Sequence, residues 1–476
     1  MVTRFAEHPA QRVDDGRGCI HLNCYLSYSG SGVRIPDGAQ QMPLPVETLA
    51  RAFLWCFSDR DVGVAIHGHR MRIRTSDRIL AREMRLPFVT FAVSVLVGSF
   101  VLSAAPVSAA PGGADFYGEP VVGLEAYASG SIVRREPVPQ LDLLGSHTER
   151  ILYRSADPRD RAVAVSGLLI TPTPAWRGPG PRPVIAYAPG SYGIADRCSG
   201  SSEQGLTTTM PALLPLLAQG YQVVTTDYQG LGTPGEYEFL GRVASARALL
   251  DAARTAASET DAPVVLYGYS AGGVASAAAA ELASTYAPDL AVVGAFVGAA
   301  PTDPVLRVDG QDGSESAATM LYTIGGLIGA HPDLSEQIRA LFNDRGRAAL
   351  DAAQNFCTVD ALTYGPLRSE DLTADGSSLG ALMTGPVLGP LTEQNTIGFT
   401  APAVPVMIVH GLHDTSVEIA QSRLLAQRWR AAEGTDITVR EFDFGTDLVP
   451  AVDHTATNIA AYPELLEWIA RLVTGV

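Results

Sequence analysis

Residues 262–283, APVVLYGYSAGGVASAAAAELA, leave the chain few folds to choose from. A short apolar run at 263–267 has the length and β-branched content of a buried strand. The chain then turns through Gly268-Tyr269-Ser270-Ala271-Gly272-Gly273 and continues as an alanine-rich helix. This is G-x-S-x-G at a strand–turn–helix junction, where Gly268 and Gly272 leave room for a tight turn and Ser270 projects from the sheet edge. At the positive end of the following helix, the residue reads as a candidate nucleophile. The pattern recurs at Gly376-Ser377-Ser378-Leu379-Gly380. There, 372–375 is no strand and no convincing helix follows, so Ser378 reads as a chance match in a polar loop.

The rest of the chain builds a sheet around that junction. Segments 151–155 and 162–171, separated by the turn Asp157-Pro158-Arg159-Asp160, predict an antiparallel hairpin. Short apolar strands are expected at 183–187, 221–226, 263–267, 291–297, 404–409 and 437–442. Helix-sized patterns lie between them at 210–218, 242–256 and 417–431, and a closing helix buries Leu465, Trp468, Ile469 and Leu472. Strands alternating with helices predict a mainly parallel sheet covered on both faces. With its antiparallel start and a serine at a strand-to-helix turn, the order is that of an α/β-hydrolase fold, core residues 110–302 and 404–476. The alternation breaks over 303–403, too long for a structureless loop. Helical patterns at 317–328 and 333–354, the second with Asp333 and Glu336 as a capping box, predict a helical cap. A lateral decoration is the alternative.

The N-terminus carries a different kind of signal. Met84-Arg85 precedes an apolar run at 86–105 and then Pro106-Val107-Ser108-Ala109-Ala110. A basic start, apolar core and small-residue site predict a signal peptide over 84–109 and an exported, extracellular protein, against an uncleaved membrane anchor. Residues 1–83 show no sustained periodicity and read as an over-extended start. The chain has no lysine, and its net charge of −16 argues against a nucleic-acid partner. Beyond residue 110 only Cys198 and Cys357 remain of five cysteines. In an exported protein two cysteines suggest one disulfide, with two separate buried thiols as the alternative.

A serine hydroxyl needs an imidazole to take its proton and a carboxylate to orient that imidazole. In this fold the order along the chain is serine, acid, histidine, each after a strand. His454 alone follows the last strand with a helix behind it, and is expected on the loop 445–454. Asp414, after the 404–409 strand, is the expected acid. Asp453 is a decoy better explained as a helix N-cap, with Asp303 and Asp443 as outside candidates. His410 and His413 are expected to bond the backbone of the acid loop. For the oxyanion, the N–H of Ala271 is one donor by position. The second comes from the loop after 183–187, at Gly190 or Ser191, with Ser191 preferred. The 227–232 loop either lines the pocket or is a simple glycine-rich turn. There is no metal-ligand cluster and no dinucleotide fingerprint, so no cofactor is expected.

With these residues placed, the chain resembles the secretory lipase family, the fungal lipase A type with its bacterial relatives, over about residues 115–476. The matching segments are YGYSAGG, DYQGLGTPGEYEFL, VHGLHD and VDH. A cap between nucleophile and acid, and a cysteine in the oxyanion loop able to bridge to it, are also similar. The resemblance implies an exported hydrolase of triacylglycerols and shorter carboxylic esters, making transient contact with a lipid–water interface. Ala188-Pro189-Gly190-Ser191 departs from the H-G-T-like oxyanion loop frequent in such lipases. Rival expectations are a short-chain or aromatic carboxylesterase, a serine aminopeptidase of the same fold, and a non-enzymatic binding protein.

Overall fold

The computed structural model describes residues 63–66, 69–72, 113–257, 261–432, 435–445 and 450–474. The expected signal peptide at 84–109 lies outside them, as does most of 1–83. Within 1–83 a four-residue antiparallel ladder pairs Gly63–Ile66 with His69–Arg72. Among the described residues no helix is long and apolar enough to cross a membrane.

Among the described residues the main sheet has nine strands. In chain order they are β1 (Ile132–Pro137), β2 (Ser146–Ala156), β3 (Ala162–Pro172), β4 (Val184–Ala188), β5 (Gln222–Thr225), β6 (Val264–Tyr269), β7 (Val292–Gly298), β8 (Val406–Gly411) and β9 (Ile437–Phe442). Their order across the sheet is β9-β8-β7-β6-β4-β5-β3-β2-β1. From β5 to β9 every pairing is parallel, while β1, β2 and β3 add an antiparallel edge. The hairpin turn is fixed by Asp157, whose Oδ1 accepts the N–H groups of Arg159 and Arg161, both at 2.9 Å.

Period-two alternation divides each central strand between two cores. Val184 and Ala186 of β4 and Val264 and Leu266 of β6 face one. That side is covered by α2 (Arg242–Ala257) and α3 (Ala271–Tyr286). Ile185, Tyr187, Val265 and Tyr267 face the other, with α1 (Glu203–Ala218) and the C-terminal helix (Tyr462–Thr474), whose Leu465, Trp468 and Ile469 are buried. Small residues let α3 approach the sheet closely. A Cβ on Gly273 would come 2.5 Å from the carbonyl oxygen of Gly298 in β7.

Between β7 and β8 the chain forms seven short helices among the described residues: α4 (Pro304–Gln311), α5 (Met320–Ala330), α6 (Ser335–Ala340), α7 (Asp344–Ala353), α8 (Thr358–Tyr364), α9 (Leu379–Met383) and α10 (Gly389–Asn395). The single helix expected over 333–354 is two. Asn343 interrupts it in extended geometry, and its side chain accepts from the Gly346 N–H to start α7. The expected Asp333–Glu336 capping box does not form, because α6 begins at Ser335 with Leu334 as an N-cap that makes no side-chain bond. Ser378 also differs from expectation, for a helix does follow it. Its hydroxyl accepts from the Ala381 N–H and caps the five-residue α9. No strand precedes it. After β8 come α11 (Ile419–Arg430), with Leu425 and Trp429 buried, and α12 (Pro450–Ala460) behind β9.

Candidate active site

Ser270 sits between the end of β6 and the start of α3 at φ 59°, ψ −123°. An L-residue reaches this region only under strain of about 1–3 kcal/mol, and only where its surroundings over-determine it. Here they do. Its N–H donates to Gly298 O on β7 at 2.8 Å. A Cβ on Gly268 would stand 1.9 Å from Gly272 O, and one on Gly272 would stand 1.9 Å from Ala188 O. The two glycines of the motif therefore let three backbone segments meet, the ends of β6 and β4 and the first turn of α3. The Ser270 hydroxyl makes no capping bond to the helix it begins.

Asp414 follows β8, as expected, and is 5% exposed. Its Oδ1 accepts the N–H groups of Ser416 and Val417 at 2.9 and 3.0 Å, which locks the carboxylate. Its Oδ2 lies 2.6 Å from His454 Nδ1. Burial pushes the Asp414 carboxyl up, but the charge of His454 and hydrogen bonds from His410 and His454 outweigh it and hold the group well below the usual carboxylate range. His410 is fully buried, with Nε2 2.8 Å from Val417 O, Nδ1 2.7 Å from Ser422 Oγ, and a side 3.4 Å from Asp414. It is a backbone-bonded histidine, as its position suggested, and it also cradles the acid.

His454 lies inside α12, not on the loop expected at 445–454. The helix starts earlier than the turn residues implied, at Pro450, a favoured first helical residue. Asp453, expected as the N-cap, is accordingly within the first turn. Its carboxylate accepts the His413 N–H at 2.8 Å and the Thr457 hydroxyl at 3.2 Å, tying the helix to the acid loop. Asp303 caps α4 and pairs with Arg428 at 2.9 Å. Asp443 lies 3.3 Å from His413 Nε2. None of the three stands in place of Asp414 at His454 Nδ1.

A contact the sequence did not announce joins serine to histidine. Tyr269, the variable residue before Ser270, donates its hydroxyl to His454 O at 2.8 Å, and its ring meets the imidazole edge-on at 5.1 Å. Among the described residues no hydrogen bond joins the Ser270 hydroxyl to His454. Such bonds are commonly long before substrate arrives and tighten with it.

The loop after β4 runs beside the serine. A Cβ on Gly190 would lie 3.5 Å from Tyr269 O and 3.7 Å from Ser270 Cβ. The Ser191 hydroxyl is buried and takes no hydrogen bond among the described residues. Beyond it the loop is stitched to the helical segment. Cys198 and Cys357 are bridged, with Cα atoms 5.7 Å apart. Ile194 N–H donates to Phe356 O at 3.1 Å, Thr358 N–H to Tyr192 O at 2.8 Å, and Arg197 pairs with Asp360 at 2.8 Å. The 227–232 loop packs beneath, where Asp227, Tyr228 and Leu231 line a small cavity with Pro189, Gly190 and Ser191. Among the described residues no three His, Cys, Asp or Glu side chains gather as a metal site.

The arrangement offers a strained serine and an imidazole oriented by a buried carboxylate, which is the equipment of a nucleophile and its base. Known proteins resemble this chain in sequence and in fold. The chain is 27% identical over 395 residues to Lipase 1 of Candida albicans, covering 76% of this chain and 80% of that protein. It is equally 27% identical over 377 residues to a probable inactive lipase of Mycobacterium tuberculosis, covering 75% and 81%. A secreted triacylglycerol lipase of Malassezia furfur matches at 27% over 271 residues, 54% of this chain and 68% of that one. Among solved structures, Candida antarctica lipase A in its closed state superposes with a TM-score of 0.67 at 23% identity, covering 77% of this chain and 88% of that one, which shows the shared fold. The model of the secretory lipase family matches residues 199–475, more than half of the chain, from just after Cys198 into the closing helix. With an α/β-hydrolase fold and that match, the chain belongs to the secretory lipase family.

Proposed function

We propose that this protein is an exported serine hydrolase of carboxylic esters, a lipase acting on triacylglycerols and related esters. Ser270 Oγ attacks the ester carbonyl carbon while His454 Nε2 takes the hydroxyl proton. Asp414 holds Nδ1–H, fixing the tautomer and stabilising the imidazolium. The N–H of Ala271, in the first helical turn where no intrahelical acceptor exists, and the N–H of Ser191 receive the oxyanion. His454 then delivers its proton to the departing alcohol, leaving an acyl group on Ser270. Water, deprotonated by the same imidazole, attacks that acyl group; the Ser270 Oγ–acyl bond breaks, His454 returns the proton to Oγ, and the carboxylic acid leaves. On this reading 303–403 forms the cap, 84–109 the export signal, and 1–83 an over-extended start.

The observation that carries the proposal is the coincidence of a strained Ser270 and a buried Asp414 held 2.6 Å from the half-buried His454, with Tyr269 linking serine to histidine. The name of the Mycobacterium tuberculosis relative shows that similarity alone does not decide activity. The test is a chain-length series of nitrophenyl esters from acetate to palmitate, with emulsified triacylglycerol, on the wild type and Ser270→Ala. Turnover of long chains and emulsion, lost in the variant, supports the lipase. Turnover confined to the shortest esters makes the protein a carboxylesterase with the same site. Turnover surviving in Ser270→Ala contradicts the assignment of the serine.

A further inference from the structure

We propose that Tyr228, which the mechanism above does not use, is a positioning residue that sets the oxyanion loop. The proposal rests on the hydrolase reading. Tyr228 follows β5 and is 4% exposed. Its φ of 71° lies in the left-handed region, uncommon for a bulky side chain and a pointer to a functional constraint. Its N–H is held by Thr226 Oγ1 at 3.1 Å, and its ring stacks on Tyr237 with centroids 5.7 Å apart. The phenol this backbone holds in place donates to Pro189 O, in the oxyanion loop. Burial pushes the Tyr228 phenol well above its ordinary value, so it remains a donor.

The peptide unit is planar, so the Pro189 carbonyl and the Gly190 N–H point in opposite directions. With the carbonyl committed to Tyr228, that N–H faces away from the phenol, on a residue already packed against Tyr269 and Ser270. The Ser191 N–H belongs to the next peptide, one Cα further on, so the anchor fixes the start of the loop that presents it. The far end of the loop is held through the cap, by the Cys198–Cys357 bridge and the Tyr192 and Ile194 backbone bonds. An aromatic series joins the two anchors. Tyr237 meets Phe239 edge-on at 5.9 Å, Phe239 meets Tyr322 at 5.5 Å, and the Tyr322 hydroxyl donates to Cys357 O at 3.2 Å.

Tyr228→Phe keeps the ring and its stack and removes only the bond to Pro189. A misplaced oxyanion donor lowers kcat by about tenfold or more while KM stays within about twofold. A boronic acid that forms a tetrahedral adduct on the serine should lose affinity by a matching factor. Tyr286→Phe serves as the control. Its hydroxyl donates to Asp251 Oδ2 at 2.8 Å, at the far end of α3, so removing it costs one hydrogen bond without touching the loop or the groups that hold Tyr228. That variant should melt earlier yet keep kcat and boronate affinity. The proposal is overturned if Tyr228→Phe keeps both, if its loss lies in KM alone, or if Tyr286→Phe loses both equally. A wild type with neither ester turnover nor boronate binding would remove the hydrolase reading itself, an outcome distinct from a loss confined to the variant.

Discussion

His454 Nδ1 lies 2.6 Å from Asp414 Oδ2, and the other oxygen of that carboxylate is fixed by two main-chain N–H groups. The aspartate thus has one orientation available and imposes it on the imidazole. Asp414→Asn should retain the fold and lose kcat by about 10⁴-fold, the scale of a wrong histidine tautomer. Steady-state kinetics on a short nitrophenyl ester checks it. Asp453→Asn, which alters a bond to the acid loop rather than to the imidazole, should lose far less.

The same carboxylate makes stability depend on acid. Its folded value lies below the unfolded one of about 3.9, so below neutrality the unfolded chain binds the extra proton. The stabilisation is complete above about pH 5 and is lost as pH falls through the unfolded value toward the folded one. Melting curves from about pH 6 to pH 3 should therefore fall more steeply for the wild type than for Asp414→Asn. Parallel curves would contradict the depressed value.

Gly272→Ala should be severe. Its Cβ would meet Ala188 O at 1.9 Å, and the clash is with backbone on every side. A loss of about 3 kcal/mol or more is expected from thermal or urea unfolding. Gly268→Ala faces the same distance to Gly272 O and should behave alike.

The Cys198–Cys357 bridge ties the loop after β4 to the helical segment between β7 and β8, across a sequence separation of 159. Peptide mapping without reduction should recover the two cysteines as one linked pair. Cys198→Ser with Cys357→Ser should lower stability by about 2–5 kcal/mol. It should also lower activity under conditions where the protein remains folded, because the loop beside Ser270 loses its distal anchor.

Ser378→Ala tests the second G-x-S-x-G. The hydroxyl caps α9, so about 0.5–2 kcal/mol of stability should be lost. Ester hydrolysis should be unchanged.

The fold was legible because its signals are local. The run 263–267, the glycine turn and the alanine helix declare strand, turn and helix without tertiary help, and the order of strands follows from chain alternation. Asp414 could be chosen over Asp453 from sequence because the acid must follow its own strand. What escaped was set by packing. The break at Asn343 depends on a cap bond to Gly346 and on carbonyls at Asp371 and Thr373 that the Asn343 amide reaches from another segment. His454 lies in a helix whose first turn is tied to the acid loop by Asp453 and the His413 N–H, a contact between positions 40 apart. Tyr269 and Tyr228 look like ordinary core aromatics in sequence. Only their hydroxyl partners, His454 O and Pro189 O, separate them from the rest.

The central claim is that Ser270 is an activated nucleophile. The most direct measurement is labelling with a fluorophosphonate, followed by peptide mass mapping of the wild type and His454→Ala. The account predicts one phosphonylated serine, Ser270, with labelling slowed by orders of magnitude in the histidine variant. Label on Ser378 or another serine, or ester turnover by a protein whose Ser270 resists the reagent, would contradict it.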